Sequence, residues 1–161
     1  MPYLIDANNL AGKLAILGRD DFDIYLTGIL AQYVAIKNKK IILVFDGMGA
    51  LANDYGENIK VIYALDNYGS ETADDVMEDI IGKSINPRDY IIVSDDIDLR
   101  NRVEAIARRK GSKLKMISTT SYANEITNTI RYNSEVDESS DDLSDSEKRK
   151  INEELYNAWK T

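Results

Sequence analysis

The sequence predicts an α/β fold: a parallel β-sheet of about five strands flanked by helices, with a further helix at the C-terminus. Three observations carry this. Short apolar runs recur as far as Ser118, most are continuously apolar rather than alternating, and amphipathic segments at helical spacing lie between them. A strand covered on both faces reads as an unbroken apolar run, and strands alternating with helices pair in parallel through right-handed crossovers.

The elements follow in order. YLID (3–6) is the first strand. Phe22, Leu26, Ile29, Leu30 and Tyr33 then recur at helical spacing behind Asp20, a capping candidate. IILVFD (41–46) is the second strand, and Gly47, Gly49 and Gly56 mark the surface loop after it. KVIYAL (60–65) is the third, followed by a helix through Val76, Ile80 and Ile81 that Ser70 or Thr72 begins. YIIVS (90–94) is the fourth. Asp95 caps the helix through Leu99, Val103, Ile106 and Ala107, which Gly111 ends. LKMIS (114–118) and a helix through Tyr122, Ile126 and Ile130 complete a domain spanning residues 1–132. The acidic, serine-rich stretch SEVDESSDDLSDS (134–146) points to a solvated linker, placed at 133–143. Residues 144–161 form the terminal helix, with Ser144 and Glu147 as a capping box and Ile151, Leu155 and Trp159 as its apolar stripe. That stripe packs on its own domain or on a symmetry mate, or recruits a partner.

Composition narrows the chemistry. The 161 residues contain no cysteine and no histidine. Thiolate metal sites and disulfides are therefore excluded, as is the commonest acid-base catalyst near neutral pH. No apolar run approaches the roughly 18 residues that cross a bilayer, so the expectation is a soluble cytoplasmic protein. The net charge of −8 is ill suited to a nucleic-acid partner, but it is unevenly spread. Residues 1–132 hold 16 basic and 19 acidic residues, whereas residues 133–161 hold 4 and 9. Most of the excess lies in the tail, which leaves room for a locally basic surface.

The acids fall in a pattern. Asp6 ends the first strand, Asp46 ends the second, and Asp95, Asp96 and Asp98 follow the fourth. GSETADDVMEDII adds Glu71, Asp74 and Asp75 at a helix start, where the macrodipole lowers the cost of gathering negative charge. Ligands of open α/β sheets sit outside the carboxyl ends of the strands, so four segments converge on one rim. Any one of these residues also reads as a turn or cap residue, and Thr72 to Asp75 has capping-box spacing. Together they repel one another and raise each other's pKa unless a cation intervenes. An all-oxygen cluster suits Mg²⁺ or Mn²⁺.

Four motifs, LIDANNL (4–10), VFDG (44–47), ETADDVMEDII (71–81) and VSDDIDLRNRVEAIARRKGSK (93–113), resemble in order and spacing the NYN domain family of PIN-like nucleases, in particular its YacP-like ribonuclease branch. The resemblance implies a Rossmann-like (PIN-like) three-layer fold and a metal-dependent ribonuclease. It implies Asp6, Asp74 and Asp96 as metal ligands, with Asn9 as the amide beside the first and Asp46 as the second-strand acid. Glu71 and Asp75 flank Asp74, and Asp98 follows Asp96. Asp95 stands where the family has a small polar residue and is left out of the ligand set. Ala7 stands where many relatives have glycine, which removes no ligand.

The expected reaction is hydrolysis of RNA phosphodiester bonds by an endoribonuclease using Mg²⁺ or Mn²⁺, leaving 5′-phosphate and 3′-hydroxyl ends. Such chemistry needs no histidine. Arg100 and Arg102, the basic residues nearest the acids, are the expected RNA contacts; Lys37, Lys39 and Lys40, like Arg108, Arg109, Lys110 and Lys113, read more simply as solvated faces. Expected partners are RNA, a ribonucleoprotein or protein reached through the C-terminal helix, and a second copy of the chain. The competing reading is a catalytically inactive RNA-binding or assembly module of the same fold. A haloacid dehalogenase phosphatase needs an Asp-x-Asp pair after the first strand, where this chain has Asp6, Ala7 and Asn8. A receiver domain needs an early acidic pair that is also missing.

Overall fold

The computed structural model describes residues 1–70 and 72–138. Six strands form one sheet in the order β3, β4, β2, β1, β5, β6. They are β1 (Tyr3–Asp6), β2 (Ile41–Phe45), β3 (Asp54–Tyr55), β4 (Ile59–Tyr63), β5 (Ile91–Val93) and β6 (Lys115–Ile117). All pair in parallel except β3, a two-residue antiparallel edge on β4. That edge strand is exposed and carries no apolar run, so periodicity gave no sign of it.

Helices cover both faces, which is why the inner strands are continuously apolar. On one face Tyr3, Ile5, Leu43, Phe45 and Val61 pack against α1 (Ala7–Lys13), α2 (Phe22–Lys37) and α6 (Thr119–Glu138). On the other, Leu4, Val44, Ile62 and Ile92 pack against α4 (Ala73–Lys83) and α5 (Ile97–Arg109). The expected three layers are present. A short α3 (Ala64–Tyr68) takes over the last two positions of the expected third strand.

Several boundaries correct the sequence reading. Asp21, not Asp20, stands at the N-cap of α2; it makes no side-chain cap and pairs with Arg19 instead. Asp96, not Asp95, caps α5, its Oδ1 accepting the Leu99 N–H at 3.0 Å. Thr72 begins α4, accepting the Asp75 N–H, and α1 was not foreseen. Gly111 ends α5 as expected, with φ +67° and the Ser112 N–H returning to the Ala107 carbonyl at 2.8 Å. The linker expected from 133 does not begin there, because α6 runs on to Glu138, where Arg131 and Glu135 pair one turn apart. The rest of the expected linker and the helix at 144–161 lie outside the described residues, as does Glu71.

Among the described residues no helix is long and apolar enough to cross a membrane.

The connectivity fixes where a site can form. From β1 the chain moves to β2 and β4 on one side, then crosses to β5 and β6 on the other, so the order reverses at β1. Tyr3 is level with both Ile41 and Ile91, which brings the carboxyl ends of β1, β2 and β5 together. A crevice outside the strand ends at such a reversal is the general ligand position of open α/β sheets.

Candidate active site

Four aspartates from four segments meet at that reversal. Asp6 leaves β1 and caps α1, its Oδ1 accepting the Asn9 N–H at 3.2 Å. Asp46 follows β2; its Oδ1 accepts the Ala73 N–H at 2.6 Å, and its own N–H donates to Asn8 Oδ1 at 3.0 Å. It therefore anchors the first turn of α4, which carries Asp74. Asp96 begins α5, and its N–H donates to Ser94 Oγ at 3.1 Å.

The electrostatics show how crowded the four are. Burial pushes the Asp6 carboxyl up from 3.8 to about 6, with the charges of Asp74, Asp46 and Asp96 adding to it against the Asn9 hydrogen bond. Burial likewise raises Asp74 to about 6, reinforced by the Asp96 charge, by a side-chain hydrogen bond with Asp96 and by Asp46. Asp96 moves the other way: the Leu99 N–H, the hydrogen bond from Asp74 and the Arg102 charge stabilise its ionised form. Of the two, Asp74 is the one that takes up a proton more readily.

Arg102 is the cation set against this cluster. Its guanidinium lies 2.9 Å from Glu78, 3.8 Å from Asp74 and 4.0 Å from Asp75. Arg100 sits one turn into α5, half-buried, and makes no ion pair among the described residues.

The other expected residues divide. Asn9 is at the site, its Oδ1 accepting the Asp95 N–H at 3.3 Å. Asp75 is exposed and accepts the Ser70 hydroxyl at 3.0 Å, so it lies at the margin. Asp98 gives its backbone N–H to Asp96, and its side chain is exposed. Asp95 is taken up by Lys13 and by the Thr119 N–H. Among the described residues no three carboxylates already stand round one point as closely as an ion requires. Like charges face one another there, and Arg102 is the cation beside Asp74.

Two contributors escaped the sequence reading. Asn8 ties the backbone at Asp46 to α1, and Ser94 holds the N–H of Asp96. The signal for Asn8 was its place in an asparagine doublet directly after a strand-end aspartate. The loop beyond Asp46 is pinned as well. The Tyr63 hydroxyl donates to Asp23 at 2.7 Å, and Gly49 lies so close to the Tyr63 ring that a Cβ there would fall 1.9 Å from it.

A sequence description of the YacP-like NYN domain matches residues 4–161, nearly the whole chain. The chain belongs to the YacP-like NYN domain family. This NYN domain is also similar in structure to Rae1 (YacP) from Bacillus subtilis, with a TM-score of 0.65 at 19% identity over 99% of this chain and 92% of that one. A tryptophan-to-leucine variant of the same Bacillus protein matches with a TM-score of 0.57 at 19% identity, over 92% of this chain and 90% of that one. No curated protein matches significantly. At that identity the solved structures establish the fold alone, and the family match extends through the tail for which no motif was recognised.

Proposed function

We propose that this NYN domain is a metal-dependent endoribonuclease that hydrolyses RNA phosphodiester bonds and leaves 5′-phosphate and 3′-hydroxyl ends. The observation that carries the reading is the convergence of Asp6, Asp46, Asp74 and Asp96, with two carboxyls pushed up to about 6, in a chain without histidine or cysteine. Such a crowding of negative charge calls for a cation, and an all-carboxylate donor set suits Mg²⁺ or Mn²⁺. Asp6, Asp74 and Asp96 would hold it. Held there, a divalent ion would acidify a water and offset charge on the departing oxygen.

The chain's own residues do the rest. Asp46 holds the first turn of α4, so Asp74 stays aimed at the rim. Ser94 holds the backbone N–H of Asp96, and the Leu99 N–H favours the ionised form of its carboxylate. Asn9 steadies Asp6 through its backbone N–H. Arg102, which pairs with the acids, and Arg100, one turn into the same helix, would take substrate phosphates. Asp75 and Asp98 would support the ligands from outside or hold a second ion; Glu71, grouped with them from the sequence, lies outside the described residues.

The reading as an inactive RNA-binding or assembly module draws on one observation: Arg102 pairs with Asp74, and the ligand oxygens are not closed round a point. A nuclease panel separates the two. Structured and single-stranded RNA and DNA are incubated with Mg²⁺, Mn²⁺ or EDTA, and product ends are mapped. RNA should be cut with either ion, with EDTA abolishing cleavage. Asp96→Asn, which keeps the helix cap, should lose more than the roughly 10–100-fold typical of an outer-sphere change. Cleavage that survives EDTA, or full activity in Asp96→Asn, would refute the assignment.

A further inference from the structure

Thr119 opens α6 at the end of β6 and is fully buried. A threonine or serine at a helix start ordinarily accepts an N–H of its own first turn. Here Ser118 does that: its Oγ accepts the Ser121 N–H at 3.1 Å, and its carbonyl accepts the Tyr122 N–H at 3.1 Å. The Thr119 hydroxyl is left for another partner, and it donates to Oδ1 of Asn9, 110 positions away in the chain.

That oxygen is a junction. It also accepts the Asp95 N–H, while the Thr119 N–H donates to Asp95 Oδ1 at 2.8 Å. The Thr120 hydroxyl reaches Asp95 Oδ2 at 3.4 Å, and Lys13 from α1 lies 3.7 Å from the same oxygen. Asn9 in turn gives its N–H to Asp6, and Asp95 is the residue before Asp96. A closed set of contacts therefore runs from Asp6 through Asn9 and Thr119 to Asp95 and the start of α5. Nothing in the packing of α6 requires the hydroxyl, because Tyr122, Ile126 and Ile130 already bury that helix against the core.

We propose that Thr119 is a positioning residue of the acidic site. Through Asn9 it fixes the first turn of α1, and through Asp95 it fixes the exit of β5, so that Asp6 and Asp96 stay in place for a divalent ion that draws their oxygens together. This role rests on the metal-dependent reading above. Groups that orient ligands from outside are commonly as consequential as weak ligands: losing one costs about 10–100-fold in metal affinity or activity.

The test compares full-length wild type with Thr119→Val, which removes the hydroxyl at nearly constant shape, and Thr119→Ser, which keeps it. Three quantities are read: affinity for Mn²⁺ alone, from free Mn²⁺ by electron paramagnetic resonance; kcat and KM for RNA cleavage; and melting temperature. Thr119→Val should bind Mn²⁺ about tenfold more weakly and lose kcat by a similar factor with KM unchanged, at a melting temperature within a few degrees of wild type. Thr119→Ser should stay within about twofold of wild type, as a retained hydroxyl predicts. Wild-type Mn²⁺ affinity and kcat in Thr119→Val overturn the proposal, as does an equal loss in the serine variant. Should the valine variant not fold, Thr119→Ala is read against Thr119→Ser by the same criteria. Failure of both apolar variants to fold marks a purely structural residue and overturns it too. A wild type that neither binds Mn²⁺ nor cuts RNA refutes the metal reading itself, an outcome distinct from normal binding in Thr119→Val.

Discussion

Helix α4 connects the two ends of the sheet, and its termini are treated in opposite ways. At its C-terminus, beside the amino ends of the strands, Lys110 donates to the carbonyls of Gly82 and Ser84, both at 2.5 Å, and Lys83 pairs with Asp79. Exposed carbonyls meet cations, as the helix dipole favours. At its N-terminus the orphan donors are also met, Asp46 taking the Ala73 N–H and Thr72 the Asp75 N–H. Yet Asp74 remains there together with Asp6 and Asp96, and Arg102 is the cation set against them. One end has the charges its backbone calls for. The other carries negative charge that folding does not need, and that surplus distinguishes a site from a scaffold.

The largest expected effect follows from removing part of the surplus. Asp6→Asn keeps an oxygen to accept the Asn9 N–H, so the α1 cap survives while the charge goes. With the Asp6 carboxyl raised from 3.8 to about 6, the metal-free variant should be more stable than wild type at pH 8, by on the order of 2 kcal/mol. The sign follows from linkage: a carboxyl whose folded pKa is raised adds stability that is fully present below 3.8 and is lost as pH rises through about 6. The advantage of Asp6→Asn should therefore vanish by about pH 4 in thermal melts with EDTA. A saturating divalent ion should reverse the order at pH 8, because only wild type keeps the full ligand set. A variant less stable than wild type at pH 8 in EDTA would mean that the carboxylate is not strained, and the contrast between the two ends would fail.

The same contrast explains what could be read from the sequence. The strands, the helices of the α4 and α5 layer and the strand-end acids were legible because burial on both faces and the strand-end rule leave direct marks on residue type. Boundaries set by competition were not. Asp95 and Asp96 are equally good caps on paper, and long-range contacts from the Thr119 N–H and Lys13 draw Asp95 aside. Asp98 follows the β5 exit as a ligand candidate should, but helical geometry turns its side chain outward. Edge strand β3 has no apolar face to detect. The site was therefore visible as a set of acids, whereas the division between those that gather and those that merely anchor depended on long-range hydrogen bonds.

Arg102 offers a smaller perturbation from the other direction. Arg102→Ala removes the guanidinium from Asp74, Asp75 and Glu78, so in EDTA at neutral pH the protein should lose up to about 1 kcal/mol, as is usual for solvent-accessible ion pairs. A saturating divalent ion should shrink that loss, since it supplies the missing positive charge. If Arg102 also holds a substrate phosphate, the salt dependence of RNA binding should fall by about one unit of log-log slope. An unchanged slope would limit Arg102 to pairing with the acids and leave the phosphate to Arg100.

The smallest effect belongs to the balanced end, and there function and stability should separate. Lys110→Met keeps most of the aliphatic stem but removes the ammonium that serves the last carbonyls of α4. Those carbonyls are near the surface and can turn to water, so the cost should be about 1 kcal/mol and the fall in melting temperature about 2–4 °C. The variant should bind Mn²⁺ and cut RNA as wild type does, because α4 is fixed at its other end by Asp46 holding the Ala73 N–H. A melting shift with unchanged Mn²⁺ affinity would show that the two termini of one helix are energetically independent. A matching loss of Mn²⁺ affinity would mean that α4 moves as a rigid body, and that the position of Asp74 is set from the C-terminal end of the helix as much as from its own first turn.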